Sequence, residues 1–351
     1  MFVRNTWYAA GWAGDFAAGT LTPITLLNEP LVLWRRQDGG LAALADRCPH
    51  RLAPLSLGQQ EGDDLRCMYH GLKFAPDGRC VEIPGQDRIP PKLRAKSYPV
   101  VERHSAVWVW MGDPALADEG LIVDFVGFED PAWAMAPGRM DYAANYTLIN
   151  DNLLDLSHLP YVHRNSFGGG DAKANQGFSE AKVHTIPLDR GVRVTRWSKN
   201  TPSPPFARAL AGPLVDLWSS YDFLVPGIFL LYSGFYPPGT LGADNIERPD
   251  AEPVHANFTC QAVTPLTDRS TCYFFAYGPW AKASAAAPIF HKMAVTAFDE
   301  DRVMIEAQQR VIDASPNDRI MPLGMDTAAS LFRSLMDRLM AAEAGSARAA
   351  G

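Results

Sequence analysis

Two short segments, each with one cysteine and one histidine, constrain the fold of this 351-residue chain more than any other feature. Cys48 and His50 are separated by one residue, Cys67 and His70 by two, and residues 51–66 lie between the pairs. Thiolate sulfur and imidazole nitrogen are metal ligands, and their close pairing at two places is typical of a metal site. We therefore expect two loops that meet around a metal and bring the four side chains together.

Two kinds of metal site are compatible with this pattern. Tetrahedral zinc is the simpler one, but zinc fingers usually group their cysteines first and place their histidines later, on a helix. In this chain each pair mixes one cysteine with one histidine, and both pairs lie in predicted loops. A Rieske [2Fe–2S] cluster needs two thiolates on one iron and two imidazoles on the other, which mixed pairs satisfy directly. Pro49 would stiffen the first loop and Gly71 would allow close backbone approach behind His70, so the pattern favours the cluster.

The composition fits an ordinary globular protein of two domains, with 47% hydrophobic and 20% charged residues. The net charge of −7 argues against a nucleic-acid partner, whose phosphates call for a basic surface. Neither the N-terminal segment nor the apolar residues 223–236 have the length and continuity of a signal peptide or a membrane span. A thiolate site in a chain of five cysteines fits a reducing compartment, so we expect a soluble, cytoplasmic protein.

The chain divides into two regions, and the predicted fold class is α+β. Residues 1–112 predict a small all-β domain, because apolar runs flank turns such as "QDGG" and "PDG". Residues 113–130 have the acidic composition of a connecting segment, and residues 131–351 form the larger second domain. The elements predicted there are strands at 216–225, 227–236, 255–263 and 270–278 and helices at about 147–159 and 287–312.

A second metal site is predicted in the segment "NDNLLDLSHLPYVHR". Asn152, Asp155 and His158 fall at three-residue intervals and would share one face of a helix. His163 would lie off that face on a continuous helix, but Pro160 should break the helix and turn His163 back toward the same centre. Asn152 and Asp155 are therefore predicted to act in catalysis beside the two histidines. The alternative is a pair of buried, hydrogen-bonded histidines without a metal.

Two histidines need one carboxylate to complete the facial triad of a non-haem iron oxygenase. The candidates in "TAFDEDRVMIEA" are Asp299, Glu300, Asp301 and Glu306. On a helix, Asp301 lies in the apolar stripe, where a charge persists only with a partner. Asp299 borders Arg302 and has the setting of a solvated residue. We therefore predict His158, His163 and Asp301 as the iron ligands.

Together these motifs resemble the Rieske non-haem iron oxygenases over nearly the whole chain. The carrying residues are "NTWYAA", "CPHR", "CMYHGLKF", "VEIPGQ", "NDNLLDLSH" and "EDRVMIEA". The resemblance is greatest to the branch with vanillate O-demethylase, dicamba monooxygenase and toluenesulfonate methyl-monooxygenase. It implies one [2Fe–2S] cluster on Cys48, His50, Cys67 and His70, and one mononuclear Fe(II) on His158, His163 and Asp301. It also implies that Asp155 bridges the iron site to a cluster histidine, His50 or His70, of a neighbouring subunit.

The resemblance further implies a helix-grip catalytic domain over residues 131–351, in which an antiparallel sheet wraps a long C-terminal helix. The implied reaction is O2-dependent hydroxylation of a methyl or methoxy group of an aromatic acid, foremost O-demethylation with release of formaldehyde. Electrons would come from NAD(P)H through a separate reductase that carries flavin and an iron–sulfur cluster. The implied assembly is a head-to-tail homotrimer, a closed ring of identical contacts.

Three other functions are compatible with the same motifs. They are a methyl hydroxylase that gives a benzylic alcohol, a ring-hydroxylating dioxygenase, and a Rieske electron carrier without enzymatic activity. Aromatic side chains within residues 202–236 could flank a flat ring: Phe206, Trp218, Tyr221, Phe223, Phe229, Tyr232 and Phe235. His291 and Lys292 could reach an acid group of the substrate, and a solvated helix end is the alternative for both.

Overall fold

A computed structural model describes residues 1–125, 128, 130–167, 176–204, 208 and 211–350 of the chain. The chain forms two compact units. The first unit contains residues 1–124 with 264–268, and the second contains residues 125–263 with 269–351. The predicted domain limits of 1–112, 113–130 and 131–351 stay predictions.

The first unit is built of short β-strands. They are β1 Trp7–Trp12, β2 Thr22–Leu26, β3 Glu29–Arg35, β4 Leu41–Ala45, β5 Gln59–Glu61, β6 Asp64–Arg66, β7 Lys73–Phe74, β8 Cys80–Glu82, β9 Val100–Arg103 and β10 Ala106–Trp110. The strands form three sheets with the orders β1-β10-β9, β2-β3-β4 and β5-β6-β7-β8. Both predicted hairpins are confirmed, because β3 pairs with β4 and β7 pairs with β8 in antiparallel register.

The cysteines of the predicted cluster belong to the apolar core of this unit. Cys48 and Cys67 pack among buried side chains that include Val32, Trp34 and Phe74. Both cysteine-bearing loops therefore start from positions that packing holds in place.

The second unit is organised around one seven-stranded sheet. Its strands are β11 Ala136–Tyr142, β12 Lys182–Leu188, β13 Gly191–Pro202, β14 Leu214–Leu224, β15 Ile228–Tyr236, β16 His255–Thr267 and β17 Ser270–Pro279. The order in the sheet is β11-β17-β16-β15-β14-β13-β12. The four strands predicted from aromatic and β-branched runs correspond to β14 to β17. The sheet runs antiparallel from β12 to β16 and between β11 and β17.

The α-helices of the described residues all belong to the second unit. They are α1 Tyr146–Leu154, α2 Leu159–Val162, α3 Gln176–Ser179, α4 Ala287–Ala314 and α5 Thr327–Ala350. The predicted helix at 287–312 is confirmed as α4, whereas α5 was not predicted. The chain combines a small β-sheet unit with a unit of antiparallel sheet and long C-terminal helices, which confirms the α+β class. Among the helices of the described residues, none combines the length and apolarity needed to cross a membrane.

Candidate metal centres and substrate cavity

The two cysteine-bearing loops share one hydrogen-bonding pattern. The Cys48 N–H donates to the Ala53 carbonyl at 2.8 Å, and the Cys67 N–H donates to the Leu72 carbonyl, also at 2.8 Å. In both loops the cysteine thus bonds to the residue five positions later, although the histidine comes two positions later in one loop and three in the other. The sequence pairs therefore fold as equivalent turns.

Each turn closes through a residue with a left-handed backbone. Leu52 donates its N–H to the Cys48 carbonyl at 2.8 Å with φ +58°, and Gly71 donates to the Cys67 carbonyl at 2.9 Å with φ +74°. At Gly71 an added Cβ would come within 2.7 Å of Pro84 Cγ, so this position combines a glycine backbone with a tight contact. This geometry confirms the close backbone approach predicted behind His70.

The four predicted cluster ligands differ in exposure by type. Cys48 and Cys67 are buried, whereas His50 and His70 are exposed, and the two imidazole rings lie 4.7 Å apart between centroids. Burial raises the pKa of the Cys48 thiol to about 11, and the neighbouring Cys67 thiol adds to the rise. Two adjacent buried thiols therefore need a bound cation to become thiolates together. Thiols inside and imidazoles outside fit a two-iron cluster whose histidine-bound iron faces the surface.

These four side chains do not converge on a single ion. Among the described residues, the one set of three or more ligand atoms within 4.8 Å of one another consists of His158, His163 and Asp301. A tetrahedral zinc ion would have required the ligand atoms of Cys48, Cys67 and both neighbouring histidines to lie equally close to one another. The geometry thus favours the cluster over zinc at the first site and brings the three predicted iron ligands together at the second.

The second site is a compact and mostly buried group. Asp301 Oδ1 lies 3.5 Å from His158 Nε2, and Asp301 Oδ2 lies 3.3 Å from His163 Nε2. Asp301 and His163 are 4% and 2% exposed, so the charge of the carboxylate is almost fully removed from water. Two imidazole nitrogens and one carboxylate facing a common point are the donor set of a mononuclear iron site with open positions.

The break in the chain that positions the histidines lies earlier than predicted. Helix α1 ends at Leu154, because Asp155 leaves the helical region with φ −129° and ψ 99°. The Asp155 carboxylate then accepts hydrogen bonds from the Ser157 N–H at 2.9 Å and the Ser157 hydroxyl at 2.7 Å, which caps a short 3₁₀ turn. Pro160 is in the first turn of α2, where a missing N–H costs nothing, so the predicted break at this proline was wrong.

Hydrogen bonds to the outer ring nitrogens orient both histidines. His158 Nδ1 lies 2.6 Å from the Asp155 backbone carbonyl, and His163 Nδ1 lies 3.1 Å from Glu300 Oε2. Since both acceptors need a proton from Nδ1, each ring presents its Nε2 lone pair to the centre. Asp155, which we expected to link the iron site to a cluster histidine, contacts His158 through its main-chain oxygen and not through its carboxylate.

Glu300, one of the four carboxylate candidates, contacts a ligand histidine, and the sequence patterns did not predict this contact. Its Oε2 accepts hydrogen bonds from His163 Nδ1–H at 3.1 Å and from the Ser166 hydroxyl at 2.6 Å. Burial alone would lower the pKa of His163, but the nearby carboxylates of Asp301 and Glu300 outweigh burial and raise it. The pKa of His158 is lowered, with burial as the main cause. One histidine is thus held by a carboxylate and the other by a neutral carbonyl.

Asn152 contacts Asp301 and lies close to His158, as expected from its predicted place on the same helix face as His158. Its Nδ2 donates to Asp301 Oδ1 at 3.0 Å and lies 3.5 Å from His158 Nε2. The amide therefore helps to fix the orientation of the Asp301 carboxylate. Its catalytic role stays a prediction.

A narrow cavity of about 90 Å³ lies beside this group. Besides the iron ligands and Asn152, it is lined by Leu153, Leu156, Leu159, Phe167, Phe178, Phe229, Leu231, Ser233, Phe235, Asn257, Phe258, Thr259, Gln261, Tyr277 and Phe298. The lining within the described part of the chain contains no lysine or arginine. The geometry suits a flat apolar molecule held at the metal site.

The predicted substrate-lining residues divide into three groups. Phe229 and Phe235 line the cavity, whereas the other described aromatic residues of that group do not. Tyr221, for example, donates its hydroxyl to the Leu154 carbonyl at 2.8 Å inside the core. His291 and Lys292 are also absent from the lining, and Phe206 lies outside the described residues.

Two family comparisons cover most of the chain. Residues 6–99 match the family described as the Rieske [2Fe-2S] domain, and residues 142–342 match the vanillate O-demethylase oxygenase C-terminal domain. The chain belongs to the Rieske oxygenases. The resemblance inferred from the motifs is therefore confirmed.

Individual relatives of this Rieske oxygenase cover its full length. It is 41% identical to the iron-sulfur subunit of the toluene-4-sulfonate monooxygenase system of Comamonas testosteroni, over 98% of this chain and 99% of the relative. It is 35% identical to the vanillate O-demethylase oxygenase subunit of Pseudomonas sp. strain HR199, over 100% of this chain and 98% of the relative. A solved structure of dicamba monooxygenase bound to 3,6-dichlorosalicylic acid is similar with a TM-score of 0.84 and 32% identity, and the match covers 98% and 99% of the two chains.

Membership of this family establishes the class of the protein. The Rieske oxygenase is an oxidoreductase that uses a Rieske [2Fe–2S] cluster and a mononuclear iron, and both predicted cofactors are confirmed. It is the oxygenase component of a monooxygenase system, which implies a reductase partner and an aromatic substrate. The alternative of an electron carrier without enzymatic activity was wrong.

Proposed function

We propose that this Rieske oxygenase hydroxylates a methyl or methoxy group of an aromatic acid. For a methoxy group the balance is ArOCH3 + O2 + 2 e⁻ + 2 H⁺ → ArOH + CH2O + H2O. The electrons come from NAD(P)H through a separate reductase with flavin and an iron–sulfur cluster. The observation that carries the proposal is the triad of His158, His163 and Asp301 at the wall of a narrow, aromatic-lined cavity.

The residues around the triad have separable tasks. A mononuclear iron held by the triad would supply the activation of O2, and the cluster would supply single electrons. Asn152 and Glu300 hold Asp301 and His163 in place through their hydrogen bonds. Apolar side chains of the cavity exclude water from the reacting carbon and hold the aromatic ring beside the metal.

The proposal includes a homotrimer in which Asp155 bridges two metal centres of neighbouring subunits. The exposed rings of His50 and His70 are accessible to another chain. Asp155 is partly exposed, and each of its carboxylate oxygens accepts one bond from Ser157, which leaves lone pairs for a further donor. In the bridge, the Asp155 carbonyl holds His158 while its carboxylate accepts from a cluster histidine of the neighbouring subunit.

We further propose a cytoplasmic location, because cysteine ligands of a cluster are kept available for iron in a reducing compartment. The reductase that feeds this oxygenase would work in the same compartment.

A second reaction, hydroxylation of an aryl methyl group to a benzylic alcohol, is favoured by one observation. The relative with 41% identity acts on toluene-4-sulfonate by its name, whereas the relative with 35% identity is a vanillate O-demethylase. Oxidation of an O-methyl group releases formaldehyde and oxidation of a C-methyl group does not, so one assay separates the two.

The test is a panel of methoxylated and methylated benzoates and benzenesulfonates, offered to the holoprotein with a surrogate reductase. We expect NADH oxidation that depends on substrate and formaldehyde in equal amount for the methoxylated members. A hydroxymethyl product without formaldehyde would favour the second reaction. Product formation from neither group of compounds, with both metals present, would reject the proposal.

A further inference from the structure

One wall of the substrate cavity carries a polar strip among apolar neighbours. Ser233 on β15 and Asn257, Thr259 and Gln261 on β16 all line the cavity, and all four are buried. Alternate residues of a strand point to the same side, so the three β16 residues share one face of the sheet. The register sets Asn257 opposite Ser233 and Gln261 opposite Phe229.

Hydrogen bonds within the strip fix which way the Gln261 amide points. The Thr259 hydroxyl donates its single proton to the Ala276 carbonyl at 3.0 Å. Its oxygen can then only accept, and Gln261 Nε2 donates to it at 3.0 Å. With the amide reversed, Gln261 Oε1 would face the Thr259 oxygen. Both are acceptors unless the Thr259 hydroxyl no longer donates to the Ala276 carbonyl. The oxygen of the amide, Gln261 Oε1, is therefore the end that Thr259 does not use.

Gln261 Oε1 is buried and has no hydrogen-bond partner within the described residues. The residue itself is 3% exposed, so bulk water does not replace a partner. A buried acceptor without a donor is unfavourable, and a donor brought by a bound molecule removes that cost. Gln261 thus combines a buried acceptor without a partner among the described residues with a place in the cavity lining.

We propose that Gln261 is a specificity-determining residue and that the substrate presents a hydroxyl or N–H group to its Oε1. This inference rests on the proposed function, which supplies the aromatic ring and the oxidised group. It narrows the substrate to aromatic compounds with a ring hydroxyl or amino group in addition to the methyl or methoxy group. A carboxylate or sulfonate of the same substrate lies elsewhere in the cavity, because it has no proton to donate to Gln261 at neutral pH.

The test measures binding to the anaerobic holoprotein by isothermal titration calorimetry, without reductase. The probes are matched pairs in which fluorine replaces the hydroxyl: 4-hydroxy-3-methoxybenzoate with 4-fluoro-3-methoxybenzoate, and 3-hydroxy-4-methoxybenzoate with 3-fluoro-4-methoxybenzoate. Fluorine is similar in size to the hydroxyl but cannot donate. We expect the hydroxyl member of at least one pair to bind roughly ten- to a hundredfold more tightly, since a buried acceptor rejects an analogue that leaves it unpaired.

Two variants locate the preference at Gln261. Gln261→Met keeps the length of the side chain without the amide, and we expect the two members of the pair to bind equally. Thr259→Val removes the oxygen that orients the amide, and we expect a reduced preference with Gln261 still present. Thr271→Val is the matched control. Thr271, a buried residue of the same sheet, also donates its hydroxyl to a main-chain carbonyl, that of Ala144, but does not line the cavity. We expect it to keep the wild-type preference.

The outcomes separate this inference from the proposed function. Three results would overturn the inference about Gln261. They are equal binding of both members of each pair to the wild-type protein, no binding of any hydroxylated probe, and an unchanged hydroxyl preference in Gln261→Met. A hydroxyl preference in binding without any oxidised product in the presence of reductase would leave the inference standing and reject the proposed function. Oxidation of methoxybenzoates without a hydroxyl preference in binding would reject the inference about Gln261 and leave the proposed function standing.

Discussion

At the scale of single residues, the two histidines of the iron site differ in their outer partner. His163 is held by the Glu300 carboxylate, whereas His158 is held by a backbone carbonyl that no side-chain substitution removes. Glu300→Gln should weaken Fe(II) binding by roughly ten- to a hundredfold, the range typical for partners that orient a metal-bound histidine. Titration of the iron-depleted protein with Fe(II), followed by iron analysis, measures the effect. Asp299→Asn is the control, since Asp299 bonds to Arg302. Equal Fe(II) affinity in wild type and Glu300→Gln would show that the contact is only structural.

A second prediction at this scale concerns the ligand carboxylate. Asp301→Ala should lose the mononuclear iron and all oxygenation, because it deletes one of three ligand side chains. The visible spectrum of the cluster should stay intact, since the cluster residues belong to a different site. Asp299→Ala, two positions away and paired with Arg302 on a partly exposed part of α4, should keep its iron. The reverse pattern of iron loss in these two variants would contradict the assigned ligand.

At the scale of elements, the start of β3 is tied to neighbouring chain segments by one carboxylate. Glu29 is bonded to Arg4, to Lys96 Nζ at 2.8 Å and to Tyr98 OH at 2.6 Å. Burial acts to raise the pKa of Glu29, but these partners outweigh it and lower the pKa to about 2 from 4.5. A pKa that is lower in the folded state stabilises the fold above pH 4.5, and this stability is lost as the pH falls toward 2.

Glu29→Gln should therefore lower the free energy of unfolding at pH 7 by about 1–2 kcal/mol, after allowance for partial exposure. Urea denaturation followed by tryptophan fluorescence should show the gap to wild type narrowing between pH 5 and pH 3. Glu102→Gln, which removes a more exposed partner of Arg35, is the control and should cost less than about 0.5 kcal/mol. A gap of constant size across this pH range would rule out the charge of Glu29 as its cause.

The elements also show what sequence patterns can and cannot predict. Strands β14 to β17 were predictable because aromatic and β-branched runs end at clear turns. Helix α1 was predicted too long, because Asp155 bonds to Ser157 and so competes with the helix, an effect that periodicity does not detect. The two histidines were predicted from motif spacing and Asp301 from its place in an apolar stripe. The role of Glu300 was not predicted, because it depends on a hydrogen bond to His163, 137 positions away in the chain, which no local pattern detects.

At the scale of the whole molecule, the proposed bridge requires electrons to pass from a cluster to an iron site in a neighbouring subunit. Asp155→Asn should keep both metals but lose most turnover, because an amide oxygen is a weaker acceptor than a carboxylate for the proposed bridge. Stopped-flow absorbance should show normal reduction of the cluster by the reductase and slow reoxidation with O2 and substrate. The control is Asp151→Asn, which removes a charge from α1 four residues before Asp155, where Asp151 bonds to Arg333. Reoxidation of Asp155→Asn at the wild-type rate would exclude the bridge.

A single-turnover experiment shows whether oxidation of the cluster is coupled to hydroxylation of an aromatic substrate. The holoprotein is reduced, freed of excess reductant under argon, and mixed with O2 and each methoxylated or methylated aromatic acid of the panel in the absence of reductase. We expect a substrate among them to speed reoxidation of the cluster and to give up to one formaldehyde, or one hydroxymethyl product, per reduced cluster, because the cluster would supply one electron and the mononuclear Fe(II) the other. Reoxidation at one common rate, with no product from any member of the panel, would contradict the proposed function.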